Sequence, residues 1–186
     1  MTTPPSPPPP TPTPEFSRPL RLNEIGDGSR ERTVEADEAE RKALARRFGL
    51  VALDRLDARL QVVPEAKSWL VTGTLSADLA QPCVATGEPV PAHVEVPFSV
   101  RFVRDLDSAE AEEVELSDED CDLIELEGEK IDLGETVAQS LALNLDPYPR
   151  APDADARLKA LGVLSEEDVG PFAALKGLKL GKTDQG

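Results

Sequence analysis

Residues 131–150 read IDLGETVAQSLALNLDPYPR, and the stretch has nearly every mark of a helix docked on a larger body. Asp132 and Glu135 have the D-x-x-E spacing of a capping box, in which each side chain meets an amide left without a partner at a helix start. Leu133, Val137, Leu141 and Leu145 recur every four residues and, with Ala138 and Ala142, make one apolar stripe. An isolated helix in water has no reason to keep such a stripe, so the spacing predicts a helix packed on a core. Pro147 and Pro149 are expected to stop it, because proline lacks the amide a further turn needs and biases the preceding residue away from helix.

Upstream the period changes from four to two. Leu56, Ala58, Leu60 and Val62 alternate with Asp57, Arg59 and Gln61, and Pro64 closes the run. Trp69, Val71, Gly73, Leu75, Ala77 and Leu79 then share one parity, as do Val94, Val96, Phe98, Val100 and Phe102. Successive half-buried strands with helices at either end argue for an α+β fold. The expectation is an antiparallel sheet, curled enough to allow a barrel-like form, covered by two main helices. Pro97, on the polar face of its strand, marks an edge or a bulge. The other main helix is expected over 34–48, with Arg46 and Arg47 in its last turn and Gly49 as its C-cap. A short strand signal over 16–25 ends at Gly26-Asp27-Gly28.

At 186 residues, 39% hydrophobic and 30% charged, the chain suits one domain with tails. The divisions expected are a disordered proline-rich arm over 1–15, the α+β domain over 16–150 with an acidic loop over 105–130 inside it, and a tail over 151–186 with a short helical element. In that tail Ser165 precedes three acids, and Phe172, Leu175, Leu178 and Leu180 are interleaved with lysines; it either folds back on the acidic loop or stays a free tail. The arm lacks the basic start and apolar core of a signal peptide, and no later stretch approaches a membrane span. Two cysteines, Cys83 and Cys121, are too few for a disulfide framework. A cytoplasmic protein without membrane contact is expected and, with no coiled-coil pattern, a monomer.

The formal net charge of -16 is concentrated in one place. Between Asp105 and Glu129, 13 of 25 residues are acidic and none is Lys or Arg, which leaves 23 of the 36 acids to face all 20 bases elsewhere. Such a run repels nucleic acid phosphates and attracts a basic protein. Like-charge blocks are commonly just solvated loops, yet Leu116, Leu123, Ile124 and Leu126 interrupt this one and offer docking points. Its candidate partner-binding residues are Glu112, Glu113, Glu115, Asp118, Glu119, Asp120 and Asp122.

Chemistry is sparse. There is no G-x-x-x-x-G-K-[ST] phosphate loop, G-x-S-x-G elbow or G-x-G-x-x-G turn. Zinc wants four ligands, and the chain has three residues of Cys or His type, Cys83, Cys121 and His93. No metal and no cofactor is expected. The loop QPCVATGEPV over 81–90 puts Cys83 between two strands, where sites tend to lie. A Cys83 enzyme would need His93 brought to the thiol; otherwise Cys83 is a packed cysteine and His93 an incidental surface residue. A second alternative to a binding protein with an acidic dock is direct RNA binding by Arg18, Arg21, Arg30, Arg32, Arg41, Lys42, Arg46, Arg47 and the C-terminal lysines. Aromatic residues, at 4%, leave little for base stacking.

Three features in order resemble the YceD family of large ribosomal RNA subunit accumulation proteins. They are the strand with its cysteine loop, VTGTLSADLAQPCVATGEPVPAHVEVPFSVRF over 71–102, the acidic insertion, and the I-D-L-G-E helix that ends in L-D-P-Y-P. The resemblance covers 16–150, and PFAALKGLK over 171–179 resembles alphaproteobacterial members. Many members have a C-x-x-C pair in the loop; this chain keeps Cys83 and has Thr86 at the second position. The resemblance implies a bacterial cytoplasmic factor, also found in plastids, that supports production or stability of large-subunit ribosomal RNA, and the absent catalytic set makes a non-enzymatic mode the expectation. With so acidic a chain, the direct partner expected is a basic ribosomal or assembly protein, and ribosomal RNA is reached indirectly.

Overall fold

The computed structural model describes residues 14–26, 28–104, 122–126 and 128–163. They belong to two compact units, the larger built from 1–81 and 91–147, the smaller from 82–90 and 148–186.

In the larger unit the alternating runs become long strands. β1 (Pro19–Arg21) and α1 (Leu22–Ile25) come first, then β2 (Arg30–Glu35), α2 (Glu38–Phe48), β3 (Ala52–Pro64), β4 (Ser68–Pro82) and β5 (Pro89–Val103). β6 (Asp122–Glu125), β7 (Lys130–Asp132) and α3 (Leu133–Leu143) follow. β3 and β4 pair antiparallel, with Leu56 opposite Ala77, Ala58 opposite Leu75 and Val62 opposite Val71, and all six side chains are buried. Parity in the sequence is therefore parity of burial. A register shift between Leu53 and Arg55 lets Leu53 face inward although it lies three residues before Leu56.

The five strands form an open row, β2-β3-β4-β5-β6, and not the barrel that a curled sheet allows. Nor is it antiparallel throughout, since β6 runs parallel to the end of β5. Proline explains the open edge. Pro89, Pro91 and Pro97 share one parity, and none can donate to a ladder, so their nitrogens face away from β4. β6 covers only Val100–Val103, and along 89–99 that edge has no partner strand among the described residues. The edge expected at Pro97 is there.

The helix expected over 34–48 starts later. Residues 30–35 pair with β3, Val34 opposite Ala58, and the helix begins after Asp37. Asp37 and Glu40 form a full capping box, Asp37 accepting from the Glu40 amide at 2.9 Å and Glu40 from the Asp37 amide at 2.8 Å. RERTVE has a single apolar residue, so its strand character is lent by β3. At the other end Gly49 adopts φ 65°, a left-handed cap that glycine enters without steric cost. The strand signal over 16–25 resolves into three residues of β1 followed by α1, in which Leu22 and Ile25 are buried.

α3 keeps the predicted stripe, with Leu133, Val137, Ala138 and Leu141 buried and Leu145 packed against the same core. Its capping box is only half made. Asp132 accepts from the Gly134 and Glu135 amides at 3.1 and 3.2 Å, but Glu135 turns to Arg47, at 2.7 and 2.8 Å. The helix also ends before its prolines: Asn144 bonds the Ser140 carbonyl through Nδ2 at 2.8 Å and turns the chain ahead of Pro147.

A strap that the sequence does not announce ties the two main helices together. Phe16 is fully buried, Ser17 Oγ and the Arg18 amide donate to Asp132 at 2.5 and 2.7 Å, and Arg18 grips Glu40 at 2.6 and 2.9 Å. The smaller unit contributes α4 (Ala154–Ala160), in which Ala154 is buried. Residues 1–13 of the proline arm and the elements expected over 165–180 lie outside the described residues.

Candidate functional site

Cys83 and Thr86 sit in the loop between β4 and β5, within the smaller unit. Short bonds close the loop: the Cys83 amide donates to Glu88 O at 2.7 Å and the Gly87 amide to Cys83 O at 2.8 Å. Residues far along the chain complete it. The Val84 amide donates to Pro149 O at 2.8 Å, and the Ala151 amide donates to Cys83 Sγ at 3.4 Å. Arg157 binds both Glu88 and Asp153.

Cys83 is only 3% exposed, and its sulfur is met by donors. The Ala151 amide, then the Thr86 hydroxyl, and further the Ala85 and Thr86 amides favour its thiolate over burial, and bring the pKa down from 9.0 to about 7. Thr86 therefore has a role of its own as a donor to the sulfur. One sulfur ringed by N–H and O–H donors does not make the four-ligand set of a zinc centre, and no group of three or more His, Cys, Asp or Glu suited to a metal occurs among the described residues. The groups that depress this pKa are main-chain amides and a hydroxyl, not the histidine that a Cys83 enzyme would need. His93 instead places Nδ1 2.6 Å from Asp78 and Nε2 3.7 Å from Glu95, and the Asp78 hydrogen bond raises its pKa.

Thr86→Val is expected to raise the Cys83 pKa, read as thiolate absorbance against pH in a Cys121→Ser background. A depressed folded-state pKa stabilises the fold above the unfolded thiol's pKa, and that contribution is lost as pH falls through about 7. An unmoved titration would remove Thr86 as a donor to the sulfur.

Of the acidic candidates, Glu112, Glu113, Glu115, Asp118, Glu119 and Asp120 lie outside the described residues. Asp122 is exposed at the start of β6, opposite Val100. Three of the basic candidates are paired with carboxylates and three more bond main chain. Arg18 binds Glu40, Lys42 binds Glu38 and Arg47 binds Glu135, while Arg30, Arg32 and Arg41 donate to main-chain carbonyls. Sequence reasoning missed the Ala151 amide and Arg157, since no local signal places residues so distant from the loop beside it.

Fold and site define an α+β protein with an open mixed sheet and, in a strand-connecting loop, one cysteine held by hydrogen bonds. The chain belongs to the YceD family, whose sequence model, described as "Large ribosomal RNA subunit accumulation protein YceD", matches residues 71–179. The match takes in the cysteine loop, the acidic insertion, α3 and the PFAALKGLK segment, and begins well after the Phe16 to which the resemblance extends. No curated protein and no solved structure matches the chain. The family name ties it to accumulation of the large ribosomal RNA subunit. No helix among the described residues is long and apolar enough to cross a membrane.

Proposed function

We propose that this protein supports accumulation of large-subunit ribosomal RNA by binding, without catalysis, and that its acidic segment docks a basic ribosomal or assembly protein. The observation that carries this reading is where the cations go. Arg18, Lys42, Arg47, Arg55, Arg101 and Arg104 are each paired with a carboxylate of their own unit, and so are Arg150 and Arg157. Of the 13 acids over 105–129, only Glu129 has a cation partner among the described residues, Arg104, and the run itself contains no Lys or Arg. Such a segment steers a basic partner and imitates the phosphate it will later meet. That partner brings ribosomal RNA to the protein, which acts in the cytoplasm as a monomer.

The test keeps the length of the segment. Deletion through Gly128 would remove β6 and the buried Leu126, whose amide donates to Val103 O at 2.7 Å. Converting Glu112, Glu113, Glu115, Asp118, Glu119 and Asp120 to Gln or Asn avoids that. Recovery of basic large-subunit proteins from nuclease-treated lysate at low salt is expected to fall at least about tenfold, with unfolding unchanged. Equal recovery by the neutral variant would dispose of the segment's role.

A further inference from the structure

Arg21 and Lys130 stand directly opposite each other in the β1–β7 ladder. The bonded positions of that ladder are on either side: the Leu22 amide donates to Glu129 O at 3.1 Å, and the Leu133 amide to Arg18 O at 3.1 Å. Counting inward by two makes Leu20 and Ile131 a bonded pair and Arg21 and Lys130 a non-bonded one, where opposite side chains come closest. Leu20 and Ile131 are buried, so Arg21 and Lys130 share the other face, and both are exposed.

Like charges in this position destabilise a ladder unless something neutralises them. Nothing does so among the described residues. Asp132, on the same face, is taken by Ser17, the Arg18 amide and the Gly134 amide, and Glu129 is taken by Arg104 at 3.0 Å. Glu24 is exposed and forms no ion pair among the described residues. A third cation stands by: Arg30 Nε donates to Glu24 O at 3.2 Å, on the four-residue helix that begins immediately after Arg21.

We infer that Arg21 and Lys130 together grip a phosphodiester of single-stranded RNA, with Arg30 beside them for the next phosphate. A guanidinium fork and an ammonium can share the two bare oxygens of one phosphate, and a repeating polyanion brings a second charge to Arg30. No aromatic platform flanks the pair in sequence, so the contact reads charge and not base identity. The inference does not depend on the acidic segment: it uses other residues and another ligand class.

The test is fluorescence anisotropy of a labelled single-stranded RNA 20-mer against the full chain and its Arg21→Gln/Lys130→Gln variant, at salt from about 50 to about 200 mM. The double substitution is expected to weaken binding at least about tenfold at the lower salt, and to reduce the slope of log affinity against log salt by about 0.7, the value for one phosphate contact on a single strand. Its melting temperature should equal or exceed that of the parent, because a repulsion has been removed; a pair with a purely structural role would lower it. RNA affinity unchanged by the substitution, or no RNA binding by the parent, overturns the inference. So does equal affinity for poly-glutamate, which would make the pair a dock for acidic protein, and so does RNA binding that appears only once the acidic segment is neutralised, which would make that segment the occupant.

Discussion

Gly134→Ala is expected to cost about 3 kcal/mol of unfolding free energy, a large loss for a change of one methyl group. A Cβ at position 134 would lie 2.3 Å from Phe16 O and 2.9 Å from its carbonyl carbon. Main chain cannot swing aside as the end of a flexible side chain can, and Phe16 is pinned because its ring is fully buried. The opposing effect is the better helix propensity of alanine, about 1 kcal/mol in a helix interior and less at the second residue of α3. The clash wins. Urea denaturation should show a lower midpoint with an unchanged slope, while Gly28→Ala, where a Cβ meets nothing within 4 Å, serves as the control. Equal midpoints for Gly134→Ala and the parent would mean that the strap does not pass so close to α3.

Asp132→Ala should be of similar size, about 3 kcal/mol, for a different reason. It removes the N-cap of α3, about 1 kcal/mol, and also leaves Ser17 Oγ and the Arg18 amide without the carboxylate they donate to at 2.5 and 2.7 Å. Asp132→Asn separates the two roles, since asparagine caps as well as aspartate but brings no charge to the strap. It should retain roughly half the stability lost in the alanine variant. Calorimetry that finds all three proteins melting alike would show the strap to be decoration. Combined with Gly134→Ala, the loss should fall short of the sum, because both substitutions release the same strap.

The strands, their inward faces and the stripe of α3 could be read from periodicity, because burial on one side of a regular element imposes its period on the residues. Boundaries were less legible. The helix read over 34–48 began at the Asp37 capping box because residues 30–35 were claimed by β3, a partner that no local signal in RERTVE announces. Glu135 had the spacing to reach back to its helix start, yet Arg47, 88 positions away, took it. At the candidate site, Cys83 and Thr86 were legible as a loop between strands. The amide that does most to lower the cysteine's pKa belongs to Ala151, and nothing in the sequence of either segment points to the other.

By itself, then, the sequence determined an α+β protein with its inward residues, its confined acidity and its want of a catalytic signature, since each follows from composition or from a short repeat. Only the tertiary structure decided that the sheet stays open, that the strap locks under α3 at Gly134, which cations pair with carboxylates of their own unit, and that Arg21 meets Lys130. Those are contacts between segments far apart in the chain, and local propensity carries no information about which partner a given carboxylate, amide or edge will find.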